Sequence, residues 1–200
     1  MFHVLALAAL ALTFAQQQPA DKLWGGRFAE NPSAVFEQFS ESLSFDRRLI
    51  ETDIRGSQAY ARALERVGIV TAAERERMVA AFDAILESSR TKPDFYKNAK
   101  DEDIHSLVIR ELKERAGPVA DKIHTGSSRN EQVSLDTRMW LRGEIDAMRA
   151  QTLDLMESLV KLTRKYPNAV IPGFTHTRRA QAVLWPHYLL AYFRDVRPRS

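Results

Sequence analysis

The sequence contains no cysteine, which excludes disulfides, thiolate metal sites and cysteine nucleophiles. Glycine and proline number eight each in 200 residues, too few for an all-β or low-complexity chain. Neither sign of charge dominates, because 29 lysines and arginines are interspersed with 26 aspartates and glutamates. Since no basic stripe is present, we expect no nucleic-acid partner.

The N-terminus carries an unbroken, mostly aliphatic run from Val4 to Leu12. It is shorter than the roughly 20 apolar residues that cross a bilayer, so no membrane span is expected. The run is similar to the apolar core of a secretory signal with Ala15 at the cleavage position, although no lysine or arginine precedes it. A misassigned start or a disordered leader is the alternative. Residues 1–20 are treated as a leader outside the fold.

Helical periodicity begins near Asp46. Gly68 stands where a left-handed helix cap is expected, and Thr71 with Glu74 has the spacing of a capping box that opens the next helix. A third helix is predicted from Ile104 to the Gly117-Pro118 pair. The apolar face of the first of these helices has steps of four and three residues, through Ile50, Ile54, Ser57, Ala61 and Leu64.

The longest predicted helix begins near Asn130 and stops before Pro167. Its apolar seam repeats every four and three residues, through Leu141, Ile145, Met148, Thr152, Leu155, Leu159, Leu162 and Tyr166. A second apolar stripe of Leu153, Met156 and Val160 lies on another face. Because a helix with two apolar faces must be covered from two sides, the sequence predicts an all-α helical bundle that is also an oligomer.

Residues 123–132 read IHTGSSRNEQ and place small hydroxyls, a glycine, a cation and amides at the mouth of the long helix. The first backbone N–H groups of a helix lack internal partners and lie at the positive end of its dipole. Together with the side chains of Ser127 to Asn130 they would suit a carboxylate or phosphate. The alternative is that Ser128 or Asn130 only caps the helix. Spacing alone leaves both interpretations open.

A second polar stretch, residues 171–181, reads IPGFTHTRRAQ. A Pro-Gly turn is predicted to deliver Thr175 and His176 just before another helix. A histidine there is suited to proton transfer because its ordinary pKa lies near 6.5, although packing or capping without chemistry is the alternative. Residues 101–105 place three acids and His105 at a helix start, where acids suit the dipole; one histidine is too weak a pattern for a metal, and none is predicted.

Four stretches then occur in a characteristic order: KLWGGRF at 22–28, DEDIH at 101–105, HTGSSRNEQ at 124–132 and GFTHTRRAQ at 173–181. With them the chain resembles the argininosuccinate lyases of the fumarase/aspartase superfamily, relatives of the δ-crystallins. The resemblance covers residues 21–200 and is that of an N-terminal fragment. It implies an N-terminal helical lyase domain over 21–120 and the truncated beginning of the central bundle over 121–200.

The resemblance implies a mostly helical, cytoplasmic homotetramer that reversibly eliminates arginine from argininosuccinate to leave fumarate, without a cofactor. Export is the alternative location if residues 1–15 act as a signal. Carried over motif by motif, Ser42, Asn130 and Thr175 would bind substrate and Arg129 would help to hold a carboxylate. His176 would take part in proton transfer. We expect Ser128 to Asn130 to converge with His176 around a small diacid, across protomers if necessary.

The chain departs from the family pattern in three places. Ser127 and Glu131 replace the arginine and aspartate of the usual HTGRSRND, while Thr177, Arg178 and Ala182 depart from the second motif. The lost cation should weaken dicarboxylate binding, and Arg178 is expected to compensate in part. The family's G-S-S-x-M-P-x-K-x-N loop, which carries the catalytic serine, does not occur in these 200 residues.

The resemblance implies that three subunits contribute to each active site, so the chain alone is expected to be inactive. Two other functions stay open. One is a non-catalytic, crystallin-like or degenerate paralogue that acts as a helical oligomeric protein. The other is a generic helical interaction module, which would not respond to argininosuccinate.

Overall fold

The computed structural model of the chain describes residues 33–97 and 99–197. The predicted leader and the Trp24-containing motif lie outside these residues. The elements are α1 (Ala34–Ser40), α2 (Leu43–Asp46), a 3₁₀ turn (Arg47–Leu49), α3 (Ile50–Arg66), α4 (Ala72–Thr91), α5 (Ile104–Ala116), a 3₁₀ helix (Gly117–His124), α6 (Arg129–Lys165), β1 (Val170–Thr175), β2 (Arg178–Leu184) and α7 (Trp185–Val196). The predicted helical fold class is confirmed, with one short hairpin added to it.

The chain divides into two compact units, Met1–Gln132 and Val133–Ser200. The division expected from the sequence, after residue 120, stays a prediction about how the domains are organised.

The core of the first unit lies among α3, α4, α5 and the 3₁₀ helix that follows α5. Side chains from all four are buried, and the fully buried ones include Phe82 of α4 and Leu107 of α5. On α3 the buried positions Ile50, Ile54, Ser57, Ala61 and Leu64 are the face that the sequence periodicity predicted. Three helices therefore enclose an apolar centre that belongs to this unit alone.

Local signals set the ends of these helices. Gly68 has a φ of +76°, its N–H donates to the Glu65 carbonyl, and the N–H of Ile69 donates to the Leu64 carbonyl. These two hydrogen bonds form a Schellman cap. The Thr71 hydroxyl accepts from the N–H of Glu74, whose carboxylate accepts in return from the N–H of Thr71. Both predicted caps are confirmed, and they hold the connection between α3 and α4 to five residues.

The long helix α6, which belongs to the second unit from Val133 onward, extends to Lys165, as predicted. Its 37 residues correspond to about 55 Å at the usual rise of 1.5 Å per residue. The apolar seam is largely exposed: Leu141 is 47% exposed, Met148 67% and Leu155 49%. Apolar surface of this extent is unusual unless another surface covers it.

An antiparallel hairpin replaces the predicted Pro-Gly turn before a helix, and that prediction is wrong. Pro172 and Gly173 lie inside β1, and the turn is formed by His176 and Thr177 between the paired residues Thr175 and Arg178. Residues 180 and 181 together oppose Gly173, which makes a β-bulge. A Cβ on Gly173 would lie 3.0 Å from the Gln181 carbonyl oxygen, so the close approach of the bulged strand favours glycine there.

None of the helices within residues 33–97 and 99–197 is long and apolar enough to cross a membrane.

Candidate active site

Ser42 immediately precedes the short helix α2, and Asp46 is the last residue of that helix, one turn further on. The Ser42 hydroxyl donates to Asp46 Oδ2 at 2.7 Å, and the N–H of Ile104 donates to Asp46 Oδ1 at 3.2 Å. The N–H of Ser42 donates to the Glu102 carbonyl at 2.8 Å. Burial raises the pKa of Asp46, while the hydrogen bonds from Ser42 and Ile104 oppose that rise. These contacts tie the predicted substrate residue Ser42 to the beginning of α5.

Arg129, the first residue of α6, is half-buried with its guanidinium among acids. Its Nη2 donates to the carboxylate of Asp103 and to Ser106 Oγ at 3.3 Å. Burial lowers the pKa of Arg129, and the charges of Glu102, Asp53 and Asp46 work in the opposite direction. The carboxylate that Arg129 contacts in this structure is that of Asp103, and its binding of a substrate carboxylate stays a prediction.

The loop before α6 is fixed by contacts from α3 and the 3₁₀ helix. The Tyr60 hydroxyl donates to the Thr125 carbonyl at 2.6 Å. Gly126 adopts a φ of +70°, and a Cβ there would lie 3.4 Å from the Tyr60 oxygen. The hydroxyl and the N–H of Ser127 both donate to the His124 carbonyl, at 3.1 and 3.2 Å. The loop is therefore a turn held by these hydrogen bonds, and Ser127 and Ser128 line a cavity.

That cavity has a volume of about 360 Å³ and lies entirely in the first unit. Its wall combines hydroxyls, two imidazoles and one guanidinium with a few apolar side chains. It is lined by Ser57, Tyr60, His105, Ile109, Ile123, His124, Ser127, Ser128, Arg129 and Gln132. A cavity of this size, with hydroxyls, imidazoles and a guanidinium beside apolar side chains, is suited to a small polar ligand.

The two histidines of the cavity differ in their surroundings. His105 Nδ1 lies 2.7 Å from Oδ2 of the fully buried Asp53. His124 Nε2 is buried and has no hydrogen-bond partner among the described residues. Burial lowers the pKa of His124, as do the nearby charges of His105 and Lys113. An imidazole with a buried, unpaired nitrogen and a carboxylate-bound imidazole therefore line the same cavity.

The other predicted site residues are placed separately. Asn130 is exposed in the first turn of α6. In the second unit, Thr175 ends β1 and His176 begins the hairpin turn, and both are exposed. His176 and Thr177 have φ values of +50° and +62°, a left-handed conformation that a β-branched threonine rarely adopts. A turn of two such residues fits the twist of a hairpin and presents the imidazole at its tip.

Sequence reasoning missed Asp46, Asp53 and Tyr60. Asp46 follows Ser42 at the four-residue spacing of a helix, which was a readable signal. Asp53 and Tyr60 lie on the helix that carries the predicted core face, and no local pattern distinguishes them. Within the described part of the chain, no three His, Asp or Glu side chains lie close enough together to hold a metal ion.

Comparison with known proteins gives three concordant matches. The profile of the lyase family matches residues 26–199. The argininosuccinate lyase of Solibacter usitatus is 68% identical over 172 residues, which are 86% of this chain and 37% of that protein. The argininosuccinate lyase of Desulforudis audaxviator is 47% identical over 171 residues, again 86% of this chain and 37% of that protein. The chain thus spans little more than a third of these relatives.

Solved structures agree on the fold. An EDDS lyase in complex with formate superposes with a TM-score of 0.62 at 22% identity, covering 80% of this chain and 31% of that one. A fumarate lyase from Mesorhizobium gives 0.55 at 19% identity, with 81% and 37% covered. At these identities the likeness concerns the fold. Together with the sequence matches, it confirms the resemblance read from the motifs, and the chain belongs to the lyase family.

Proposed function

We propose that this chain is the N-terminal part of an argininosuccinate lyase. The observation that carries the proposal is the 68% identity to the Solibacter usitatus enzyme over 172 residues, which are 86% of this chain. The alternative helical interaction module requires none of the polar contacts described above. The site's polar and charged groups are what a reaction on a carboxylate substrate needs.

The proposed reaction is an elimination. A proton leaves the carbon next to one carboxylate of the succinyl group, and the bond between the neighbouring carbon and the guanidino nitrogen breaks. The carbon–carbon double bond of fumarate forms, and arginine leaves with its nitrogen electron pair. Negative charge accumulates on the carboxylate beside the reacting carbon, so fixed hydrogen-bond donors aimed at it would lower the barrier. No step needs a redox or metal cofactor.

Residue roles follow from the motif positions and from the geometry of each unit. Asn130 supplies an exposed amide in the first turn of α6, where the helix dipole favours an anion. Thr175 and His176 supply a hydroxyl and an imidazole at the hairpin tip. The left-handed turn supports a functional role for His176, because such conformations cost roughly 1–3 kcal/mol each and concentrate at active sites. Ser42 is the third proposed substrate residue and Arg129 a proposed carboxylate-binding one.

The proposed assembly is a homotetramer in the cytoplasm, with no nucleic-acid partner. The exposed seam of α6 supports it, since Leu141, Met148 and Leu155 repeat with the spacing by which long helices pack together. Subunit association would cover this surface.

A chimera tests the proposal directly. Residues 26–199 of this chain replace the matching part of the Solibacter usitatus enzyme, which supplies the remainder of the fold. Turnover of argininosuccinate is then followed by fumarate absorbance. We expect activity in the chimera and a loss of about 10²- to 10⁴-fold in kcat for His176→Asn, the usual range for a proton-transferring group. His187→Asn is the matched control, because His187 is an exposed histidine on α7.

An inactive but folded tetrameric chimera would overturn the proposed activity. It would favour the non-catalytic, crystallin-like alternative, for which Ser127 is the specific observation. The Ser127 hydroxyl donates to the His124 carbonyl and replaces a cation of the family motif. Ser127→Arg in the same chimera separates the two: restored turnover would identify Ser127 as the cause of inactivity.

A further inference from the structure

Asp53 is the most unusual carboxyl group of the first unit. It is 0% exposed, although it lies on α3 among side chains of the apolar core. Its Oδ2 contacts His105 Nδ1 at 2.7 Å, while its Oδ1 is buried without a hydrogen-bond partner in the described residues. Buried polar atoms are nearly always paired, and a buried charge that is only partly compensated is costly.

The geometry of this contact constrains the tautomer of the imidazole. When the Asp53 carboxylate is ionised it can only accept hydrogen bonds, and Nδ1 of His105 then carries the hydrogen. In the neutral ring, Nε2 is then the nitrogen with the lone pair. The His105 side chain is 14% exposed, and the ring is part of the cavity wall. Asp53 thus lies behind a histidine whose ring borders the cavity.

A purely structural ion pair between α3 and α5 explains these facts less well. A pair retained for stability would gain from donors on both carboxylate oxygens, because an unpaired buried oxygen offsets the attraction. Ser57 and Tyr60, one and two turns further along the same helix, also line the cavity, so the pair belongs to a polar surface and not to a helix contact alone.

We propose that Asp53 is a positioning residue, which holds His105 in the tautomer with Nε2 as the acceptor atom toward the cavity. In the lyase reaction proposed above, on which the identity of the ligand rests, that atom accepts a hydrogen bond from an N–H or O–H group of the bound substrate. Orientation of an imidazole by a buried carboxylate sets both its tautomer and its basicity. The role belongs to the first unit and is separate from that proposed for His176.

Imidazole ¹⁵N spectroscopy of the 200-residue chain tests the tautomer without any assay of activity. The sequence has five histidines, and His105→Gln identifies the signal of interest. In a pH series of these spectra, we expect the single hydrogen of the neutral His105 ring to lie on Nδ1. A neutral ring with its hydrogen on Nε2 would overturn the proposal.

Asp53→Asn should remove the preference for the Nδ1–H tautomer, because an amide can also donate to Nδ1. Asp83→Asn is the matched control: Asp83 accepts a hydrogen bond from Gln58 at 2.7 Å on the exposed surface between α3 and α4. An unchanged tautomer in a folded Asp53→Asn variant would contradict the positioning role. If that variant does not fold, the spectrum of the unmodified chain still decides the question.

In the chimera, Asp53→Asn should lower kcat about 10- to 100-fold with a smaller change in KM, the loss typical of a residue that orients a functional group. A chimera without turnover would count against the proposed lyase activity, whereas the ¹⁵N spectra would judge the Asp53–His105 pair independently. Full activity of Asp53→Asn would overturn the positioning role.

Discussion

The two units of the chain differ in how they bury apolar side chains. In the first, Phe82, Leu107 and Leu112 are 0% exposed, whereas in the second Leu189 is the one buried hydrophobic residue among those described. Ile145 of α6, although it lies on an apolar seam, is 54% exposed. The first unit therefore has a hydrophobic core of its own. The second unit leaves apolar side chains exposed, and these would be buried only by packing against another surface. Their responses to substitution should differ accordingly.

Shortening a buried side chain in the core of the first unit should have the largest effect on stability. Phe82→Ala should lower the free energy of unfolding by about 3–5 kcal/mol, because it removes a fully buried ring and leaves a cavity. Leu155→Ala on α6 should change it by no more than about 0.5 kcal/mol in the monomer, as for a surface position. Urea titration followed by circular dichroism, at concentrations where sedimentation shows a monomer, compares the two. Equal losses would refute the difference between the units.

Substituting alanine for two of the glycines should change stability in opposite directions. Gly68→Ala forces a side chain into a left-handed conformation and should destabilise the first unit by about 1–2 kcal/mol. Gly143→Ala lies inside α6 with open space around its Cβ, and it should increase helix stability by roughly 0.5–1 kcal/mol. Thermal unfolding followed at 222 nm measures both. A stabilising Gly68→Ala would contradict the cap geometry described for α3.

The tyrosine that holds the loop before α6 should have a smaller effect. Tyr60→Phe removes a 2.6 Å hydrogen bond to the Thr125 carbonyl and should cost about 0.5–1.5 kcal/mol. The matched control is Tyr188→Phe on α7, whose hydroxyl contacts that of Tyr192 on an exposed face. Urea midpoints of both variants test the comparison, and an effect of Tyr188→Phe as large as that of Tyr60→Phe would count against it.

The smallest expected effect is a dependence on pH in the first unit. Burial lowers the pKa of His124 in the folded state, with His105 and Lys113 adding to the shift and Asp121 opposing it. The unfolded chain then binds the proton more readily, so the free energy of unfolding falls as pH decreases through about 6.5.

Urea midpoints at a series of pH values measure this slope. His124→Gln should flatten it, and the exposed His187→Gln of α7 should leave it unchanged. A slope that persists in full without His124 would assign the dependence to other groups.

The sequence predicted those features of the structure that depend on interactions between residues close together in the chain. The cap at Gly68, the capping box at Thr71 and the extent of α6 each depend on contacts within a few residues. The hairpin was missed because Pro172 and Gly173 were interpreted as a turn. Instead, the residues from Val170 to Leu184 pair as two strands, and Gly173 lies opposite the bulge in the second strand.

The site was less predictable because its contacts join distant parts of the chain. Asp46 meets Ile104 across 58 positions, Asp53 meets His105 across 52, and Tyr60 meets Thr125 across 65. No local pattern identifies such partners before the helices are packed. The motif residues Ser42, Arg129 and Asn130 were found through resemblance to a family, which carries information about distant contacts that spacing alone does not.

The bulge opposite Gly173 lets β2 carry one residue more than regular pairing would need. Deleting residue 180 or 181 would restore uninterrupted pairing, with Phe174 still opposite Arg179 and Pro172 still opposite Ala182. Natural variants with a single-codon deletion there would therefore leave Arg178 and Arg179 on their present faces. Such a gene would lose only the local bend and added twist that a bulge gives to a strand.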